Sequence, residues 1–226
     1  PVTAVAAIIQ HSTSGIISLK DSGITSPKGM EGHSYATWDM PIEQAIIKKV
    51  VTDDGGDYSK INLISTSVED IKAALSSNID SVWIYYAWDG IACELQGLDT
   101  NFFYFKDYSP ELDDYSPVII ANNNFLKNNS EVAKKFMAAL SKGYDYAIEN
   151  PDDAAQILVD ANEGLDIELC KKSQNWLASQ YKADADKWGV IDQKRWDAFY
   201  GWVYDNGLCE IDIPDGFGFS NDYLPE

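Results

Sequence analysis

The chain is short of positive charge: 17 Lys and Arg stand against 36 Asp and Glu over 226 residues, a formal net charge of -19. That balance excludes nucleic acid and an anionic membrane surface as partners, because both need a basic face. Histidine and cysteine are equally sparse, with His11 and His33, and with Cys93, Cys170 and Cys209. Three single cysteines at spacings that match no metal site exclude a zinc module and a fully paired disulfide framework. No apolar run reaches the length of a membrane span, and no charged leader marks a signal peptide. The catalytic signatures are missing too: no G-x-S-x-G elbow, no P-loop, no H-E-x-x-H and no glycine-rich dinucleotide turn. The expectation is a protein that is not an enzyme and that holds neither cofactor nor metal.

What is present is an ordinary globular composition, 45% hydrophobic and 23% charged, long enough for one large domain or two small lobes. The opening "PVTAVAAIIQ" reads as a buried strand over residues 1–10. It starts without an initiator methionine, which sets the expectation of a processed or truncated product. Residues 34–106 then alternate strand and helix. "DMPIEQAIIKKVV" reads as a helix with Asp39 as its cap and Pro41 in its first turn. "KINLIST" reads as a strand, and "TSVEDIKAALSS" as a helix opened by a Thr66 to Glu69 capping box. "DSVWIYY" and "NFFYFKD" read as strands flanking the short helix "DGIACELQG". That alternation predicts an α/β lobe with mostly parallel strands.

After the apolar run 118–121 the pattern becomes helical, with segments at 130–149, 151–161 and two further amphipathic stretches. Gly207 closes the last of them. If strand 1–10 and run 118–121 lie side by side, the chain crosses between two lobes twice, near 12–20 and 115–118. The expected division is 1–17 with 117–226 in lobe one and 18–116 in lobe two. A two-strand hinge of this kind places a ligand in the cleft, outside the carboxyl ends of the strands.

Candidate ligand contacts follow from that placement. In "TWDMPIEQA" the free N–H groups of a helix start would ordinarily attract an anion. Asp39 and Glu43 already occupy that turn, so it favours a ligand with N–H donors, unless the two residues merely cap the helix and suit its dipole. In "WIYYAWDG" (83–90) strand alternation puts Trp83 and Tyr85 on one face, read as core, and Tyr86 on the other. Trp88 lies past the strand end, where an indole N–H and the Tyr86 hydroxyl need polar partners. Asp89 is expected to cap the helix that carries Glu94. His11, in "QHSTSG", sits at the first crossing and is weaker as a candidate. Trp176, Trp188, Trp196 and Trp202 are expected to pack helix on helix.

The segments "AVAAIIQHSTSG", "YATWDMPIEQAIIKKV", "VWIYYAWDGIACEL", "KGYDYAIENPDDAAQIL" and "NDYLPE" resemble the substrate-binding proteins of thiamin-pyrimidine-precursor ABC transporters. The wider family includes alkanesulfonate-binding proteins and the yeast thiamin pyrimidine synthase. The resemblance spans the whole chain. It implies a type II periplasmic-binding-protein fold, two α/β lobes with a two-strand hinge, and no catalysis in the transporter branch. It also implies that full-length members begin with about 80–90 further residues, an ordinary share of a lobe, so that lobe one lacks its N-terminal part. The implied ligand is formylaminopyrimidine or hydroxymethylpyrimidine, both 4-amino-2-methylpyrimidines, and His11 and Trp38 match family positions near the cleft.

On this reading the ligand-binding set is His11, Trp38, Asp39, Glu43, Tyr86, Trp88 and Glu94. The partners are the aminopyrimidine and an ABC-transporter permease, with membrane contact only through a lipid anchor upstream of residue 1. The location is extracytoplasmic, in the periplasm or at the cell surface. The rivals are a binder of another solute such as an alkanesulfonate, and a synthase using pyridoxal phosphate. The synthase's cysteine-rich motif is absent here.

Overall fold

The computed structural model describes residues 1–226. In chain order the elements are β1 Val2–Ala7, β2 Ser14–Leu19, β3 Ser34–Thr37, α1 Pro41–Asp53, β4 Asn62–Ser65, α2 Ile71–Leu75, β5 Ser81–Tyr85, α3 Ile91–Leu95 and β6 Thr100–Tyr104. The remainder is β7 Val118–Asn122, α4 Asn123–Asn128, α5 Ser130–Glu149, α6 Pro151–Ala161, α7 Ile167–Ala178 and α8 Gln193–Asp205. They fall into two compact units. Unit one is Pro1–Ser12, Asp114–Gly201 and Asp212–Glu226, and unit two is Thr13–Asp113 with Trp202–Ile211.

Unit one is a two-stranded antiparallel ribbon surrounded by helices. β1 pairs with β7 from Val2↔Asn122 to Ala7↔Val118. Val5 and Ala6 of β1 sit in one buried cluster with Leu126, Ala133, Met137, Tyr181, Trp188 and Leu224. Ala4 and Ala7 join Tyr115, Ile191 and Trp196 in a second. Two of the tryptophans, Trp188 and Trp196, do not pack helix on helix as expected. Trp188 lies outside any helix, stacks on Tyr144 at 4.2 Å and donates from its indole N–H to the Ile8 carbonyl at 3.0 Å. Trp196 packs against β1 and donates to the Phe217 carbonyl at 2.9 Å. Indole needs both an apolar slot and a polar partner, and the backbone around a short ribbon offers both.

Unit two holds a five-stranded sheet in the order β4-β3-β5-β2-β6. β3 pairs parallel with β4 and β5, while β2 is antiparallel to β5 and β6. Four strands therefore run one way and only β2 runs against them. β2 was not expected, since residues 12–20 read only as a crossing between lobes. Gly15 fits there because a Cβ would stand 2.1 Å from the Phe103 carbonyl oxygen and 2.5 Å from the Phe102 ring. Close backbone approach is what an interior strand glycine signals. The core of the unit gathers Ile17, Ala36, Leu75, Ile79, Val82, Ile84 and Cys93.

Three helix starts differ from expectation. α1 takes Met40 as its N-cap, with no side-chain hydrogen bond, so Asp39 is not the cap. α2 begins at Ile71, where the Asp70 carboxylate accepts from Ala73 N–H at 2.9 Å, and the Thr66–Glu69 box is not used. Aspartate directly before an apolar run is a strong competitor for that role. α3 follows a single π-turn, Tyr86–Gly90, and Gly90 rather than Asp89 precedes it.

Asp80 ties the start of β5 to the start of β3. Its Oδ2 accepts from Ser34 N–H at 2.7 Å and the Ser34 hydroxyl at 2.9 Å. Burial pushes its carboxyl up, but the two Ser34 donors and nearby His33 outweigh that and hold it below the ordinary 3.8. A depressed carboxyl contributes stability that is present above the unfolded value and lost as pH falls through the lower folded value. Asp80→Asn should cost about 1–2 kcal/mol at neutral pH, discounted for partial exposure. It should also remove that component of acid destabilisation below pH 3.8. Urea melts of both proteins across that range check it; equal stabilities at neutral pH would contradict the assignment.

Candidate functional site

Parallel pairing decides where the predicted residues meet. Thr37 lies opposite Ser65, and Ala36 opposite Val82, so β3, β4 and β5 end at one edge of unit two. β2 begins there, with Ser14 opposite Tyr85 and Gly15 opposite Tyr104, which brings the end of β6 to the same edge. Carboxyl ends of strands are where α/β units bind ligands.

This rim is aromatic and open. Trp38 is 46% exposed, Tyr85 46% and Trp88 42%. The Trp38 ring lies 5.2 Å from that of Trp83, inclined at 54°. Trp83 meets Phe105 edge-on at 4.5 Å, and its indole N–H is buried with no partner. Trp83, expected in the core, is half-buried and backs Trp38, while Tyr85 does not belong to the core as expected. β5 ends on Tyr85, so the side chain clears the sheet at its edge.

Asp39 follows Trp38 with φ 59, a left-handed conformation that non-glycine residues adopt at a cost. Its carboxylate accepts from the Ser65 hydroxyl, and its N–H donates to Thr37 Oγ1 at 3.0 Å. Thr37 in turn donates to Glu43 Oε2 at 2.8 Å, and the Tyr35 hydroxyl donates to Glu43 Oε1 at 2.6 Å. Glu43 is only 1% exposed. The expected surface carboxylate is therefore a buried one, in the first turn of α1 where the helix dipole favours its charge. Burial first, then the hydrogen bond and charge of Glu43, push the Tyr35 phenol well above its ordinary range. Burial and the Glu43 charge also raise Tyr58, whose buried hydroxyl has no partner. Tyr35 and Thr37 were missed by sequence reasoning. Their spacing of two in a strand, on one face, was the signal that could have linked them to a helix starting four residues later.

Tyr86 opens the π-turn. Its hydroxyl donates to Glu94 Oε1 at 2.5 Å, and its ring lies 5.1 Å from Phe102 and 6.1 Å from Tyr104. Burial, then the bond to Glu94, raise this phenol as well. Gly90 is needed beneath it, since a Cβ would stand 2.6 Å from Tyr86 Cδ2. Asp89 accepts from Tyr85 N–H at a long 3.4 Å, and burial raises its carboxyl against that bond. Lys106 places its ammonium 5.1 Å over the Tyr104 ring.

His11 belongs to unit one, where its Nε2 lies 3.0 Å from Asp184 Oδ1. Burial pushes the Asp184 carboxyl up, but the bond and charge of His11, with Arg195, hold it below its usual range. Arg195 donates to the Gln10 carbonyl and lies 5.0 Å over the Tyr115 ring. Unit one also opens a cavity of about 530 Å³ lined by Ile119, Phe125, Val132, Phe136 and Met137 among others, with none of the predicted residues in its wall. Of the predicted set, unit two therefore holds Trp38, Asp39, Glu43, Tyr86, Trp88 and Glu94.

The family model described as "NMT1/THI5 like" matches residues 1–154. The formylaminopyrimidine-binding protein of Halalkalibacterium halodurans is 27% identical over 209 residues, which cover 90% of this chain and 63% of that protein. The chain thus spans under two thirds of the length of that relative. Among solved structures, the periplasmic aliphatic sulphonate binding protein SsuA from Escherichia coli superposes with a TM-score of 0.69 at 14% identity, over 92% of this chain and 65% of that one. The alkanesulfonate-binding protein SsuA from Xanthomonas axonopodis pv. citri, bound to MOPS, gives 0.65 at 12% identity, over 97% and 73%. At such identities the likeness speaks for the fold alone, and the fold is the α/β fold of periplasmic binding proteins. With the family model matching more than half of its length, the chain belongs to the NMT1/THI5-like family.

Proposed function

We propose that this protein is an extracytoplasmic solute-binding protein that captures a 4-aminopyrimidine thiamin precursor and delivers it to the permease of an ABC transporter. One observation carries the reading: the exposed tryptophans Trp38 and Trp88 share the carboxyl-end rim of unit two with the Asp39 carboxylate. A flat heteroaromatic ring stacks on indole, and an exocyclic amine donates to a carboxylate. Trp38, Tyr86 and Trp88 supply the ring contacts, and Asp39 and Glu94 the acceptors. Glu43 supports the rim from behind, and His11 belongs to unit one. The binding of formylaminopyrimidine named for the curated relative supports the same ligand class. No helix is long and apolar enough to cross a membrane.

An alkanesulfonate is the second reading, and Lys106 beside Tyr104 is what favours it. Against it stand Asp39, Asp89 and Glu94 at the same edge, which repel a sulfonate. Thermal unfolding separates the two. A ligand that binds only the folded state at about 100 times its Kd adds about 2.7 kcal/mol. Formylaminopyrimidine or hydroxymethylpyrimidine should raise the melting temperature, and a short alkanesulfonate should leave it unchanged. The reverse pattern would replace the first reading by the second.

A further inference from the structure

We propose that Glu43 and Thr37 form a buried positioning relay that fixes the left-handed Asp39 backbone and, through it, the exposed Trp38–Asp39 turn. The inference deepens the binding reading. It rests on that reading only where affinity is measured, because the relay exists in the unliganded protein.

The relay is legible atom by atom. Glu43 Oε2 accepts a hydrogen bond from the Thr37 hydroxyl, the two oxygens 2.8 Å apart, which turns the Thr37 oxygen lone pairs toward Asp39 N–H, 3.0 Å away. The second carboxylate oxygen is held by the Tyr35 hydroxyl at 2.6 Å, so the carboxylate is fixed at both ends. Burying a carboxylate is costly, and packing alone would be served by an apolar residue. A carboxylate has one property an apolar residue lacks: it accepts only, and so dictates which way both hydroxyls point.

The result lies where α1 has no side-chain cap and where Asp39 has φ 59. Strained backbone persists only when its surroundings over-determine it. Thr37 holds the Asp39 N–H from the end of β3, and Ser65 holds its carboxylate from the end of β4, opposite Thr37 in register. The turn so fixed keeps Trp38 5.2 Å from Trp83 while nearly half exposed. Ordering that indole and carboxylate during folding, rather than at encounter, removes part of the cost of binding.

The test uses Thr37→Val, which keeps the shape and removes the hydroxyl, and Thr37→Ser, which restores it. Two measurements need no ligand: hydrogen-exchange protection of the Asp39 amide, and the exciton-coupled circular dichroism of the Trp38–Trp83 pair, assigned by its loss in Trp38→Phe. Thr37→Val should lower Asp39 protection by about 2- to 12-fold, the scale of one lost hydrogen bond, and abolish the couplet. Thr37→Ser should keep both. Glu43→Leu, which accepts from neither hydroxyl, should lower Asp39 protection as well, and it decides the matter should Thr37→Val not fold.

Wild-type protection or an intact couplet in Thr37→Val overturns the relay, as does loss of both in Thr37→Ser. Formylaminopyrimidine titration then separates the two levels. If the wild type binds no pyrimidine while Thr37→Val loses the couplet, the relay stands and the ligand reading falls. If the wild type binds and Thr37→Val keeps protection, couplet and affinity, the ligand reading stands and the relay falls.

Discussion

Alanine in place of Trp88 should weaken pyrimidine binding by about 5- to 150-fold, the equivalent of the 1–3 kcal/mol that one base–aromatic stack contributes. The indole projects from the π-turn between β5 and α3 and is 42% exposed, so it keeps a large face open to solvent while the rest packs against protein. Its removal should shift folding stability by about 1 kcal/mol, the centre of the range for single substitutions. Titration paired with urea melts measures both quantities. Unchanged affinity would remove Trp88 from the ligand site. Weakened affinity with an equal loss of stability would make it a structural residue.

The second large effect lies in unit one and concerns stability. Trp188→Ala should cost about 3–5 kcal/mol, the range for deleting a buried tryptophan. The ring is 1% exposed, stacks on Tyr144 at 4.2 Å with an interplanar angle of 14°, and closes the cluster built on Val5 and Ala6. Its indole N–H also satisfies the Ile8 carbonyl at 3.0 Å, so truncation leaves that oxygen unpaired as well as opening a cavity. Against a total stability of about 5–15 kcal/mol for a typical domain, such a loss dominates the melt. Trp188→Phe keeps a stacking ring and loses the donor, and should cost about 1–2 kcal/mol less than the alanine variant. A denaturant midpoint for Trp188→Ala close to that of the wild type would show that the ribbon does not depend on this stack.

Much of the fold is legible in the sequence because its signals are strong and local. The run 1–10 and the run 118–121 do pair, antiparallel, and the helix from Ser130 to Glu149 follows its apolar period. Failures arise where one residue type has two uses. The serines and glycine of "STSG" are turn formers by propensity, yet Ser14 and Gly15 open β2, because the neighbouring Phe103 carbonyl leaves room only for glycine. Asp39 is a good cap by type, yet its carboxylate is taken by Ser65, 26 residues away, which no local pattern encodes.

The candidate site is legible to the same extent. Aromatic residues past the ends of β3 and β5 could be placed at the sheet edge from alternation alone, and Trp38 and Trp88 are exposed there. Whether a carboxylate faces solvent or core could not be read. Glu43 and Asp39 are four residues apart in sequence, and the first is buried under two hydroxyls while the second is exposed. A helix start turns the chain through its first turn between them, so burial depends on which strand the helix leaves, a tertiary fact. The pairing of Tyr86 with Glu94 is of the same kind, since it depends on a π-turn that widens the spacing by one residue.

The most direct test of the account is calorimetric titration of the protein with formylaminopyrimidine, hydroxymethylpyrimidine and a short alkanesulfonate. A 4-aminopyrimidine should bind at micromolar or tighter affinity, about -8 kcal/mol or better, and the sulfonate should not bind. Binding of the sulfonate alone would contradict it, and would mean that the carboxylate of Asp39 does not read the ligand.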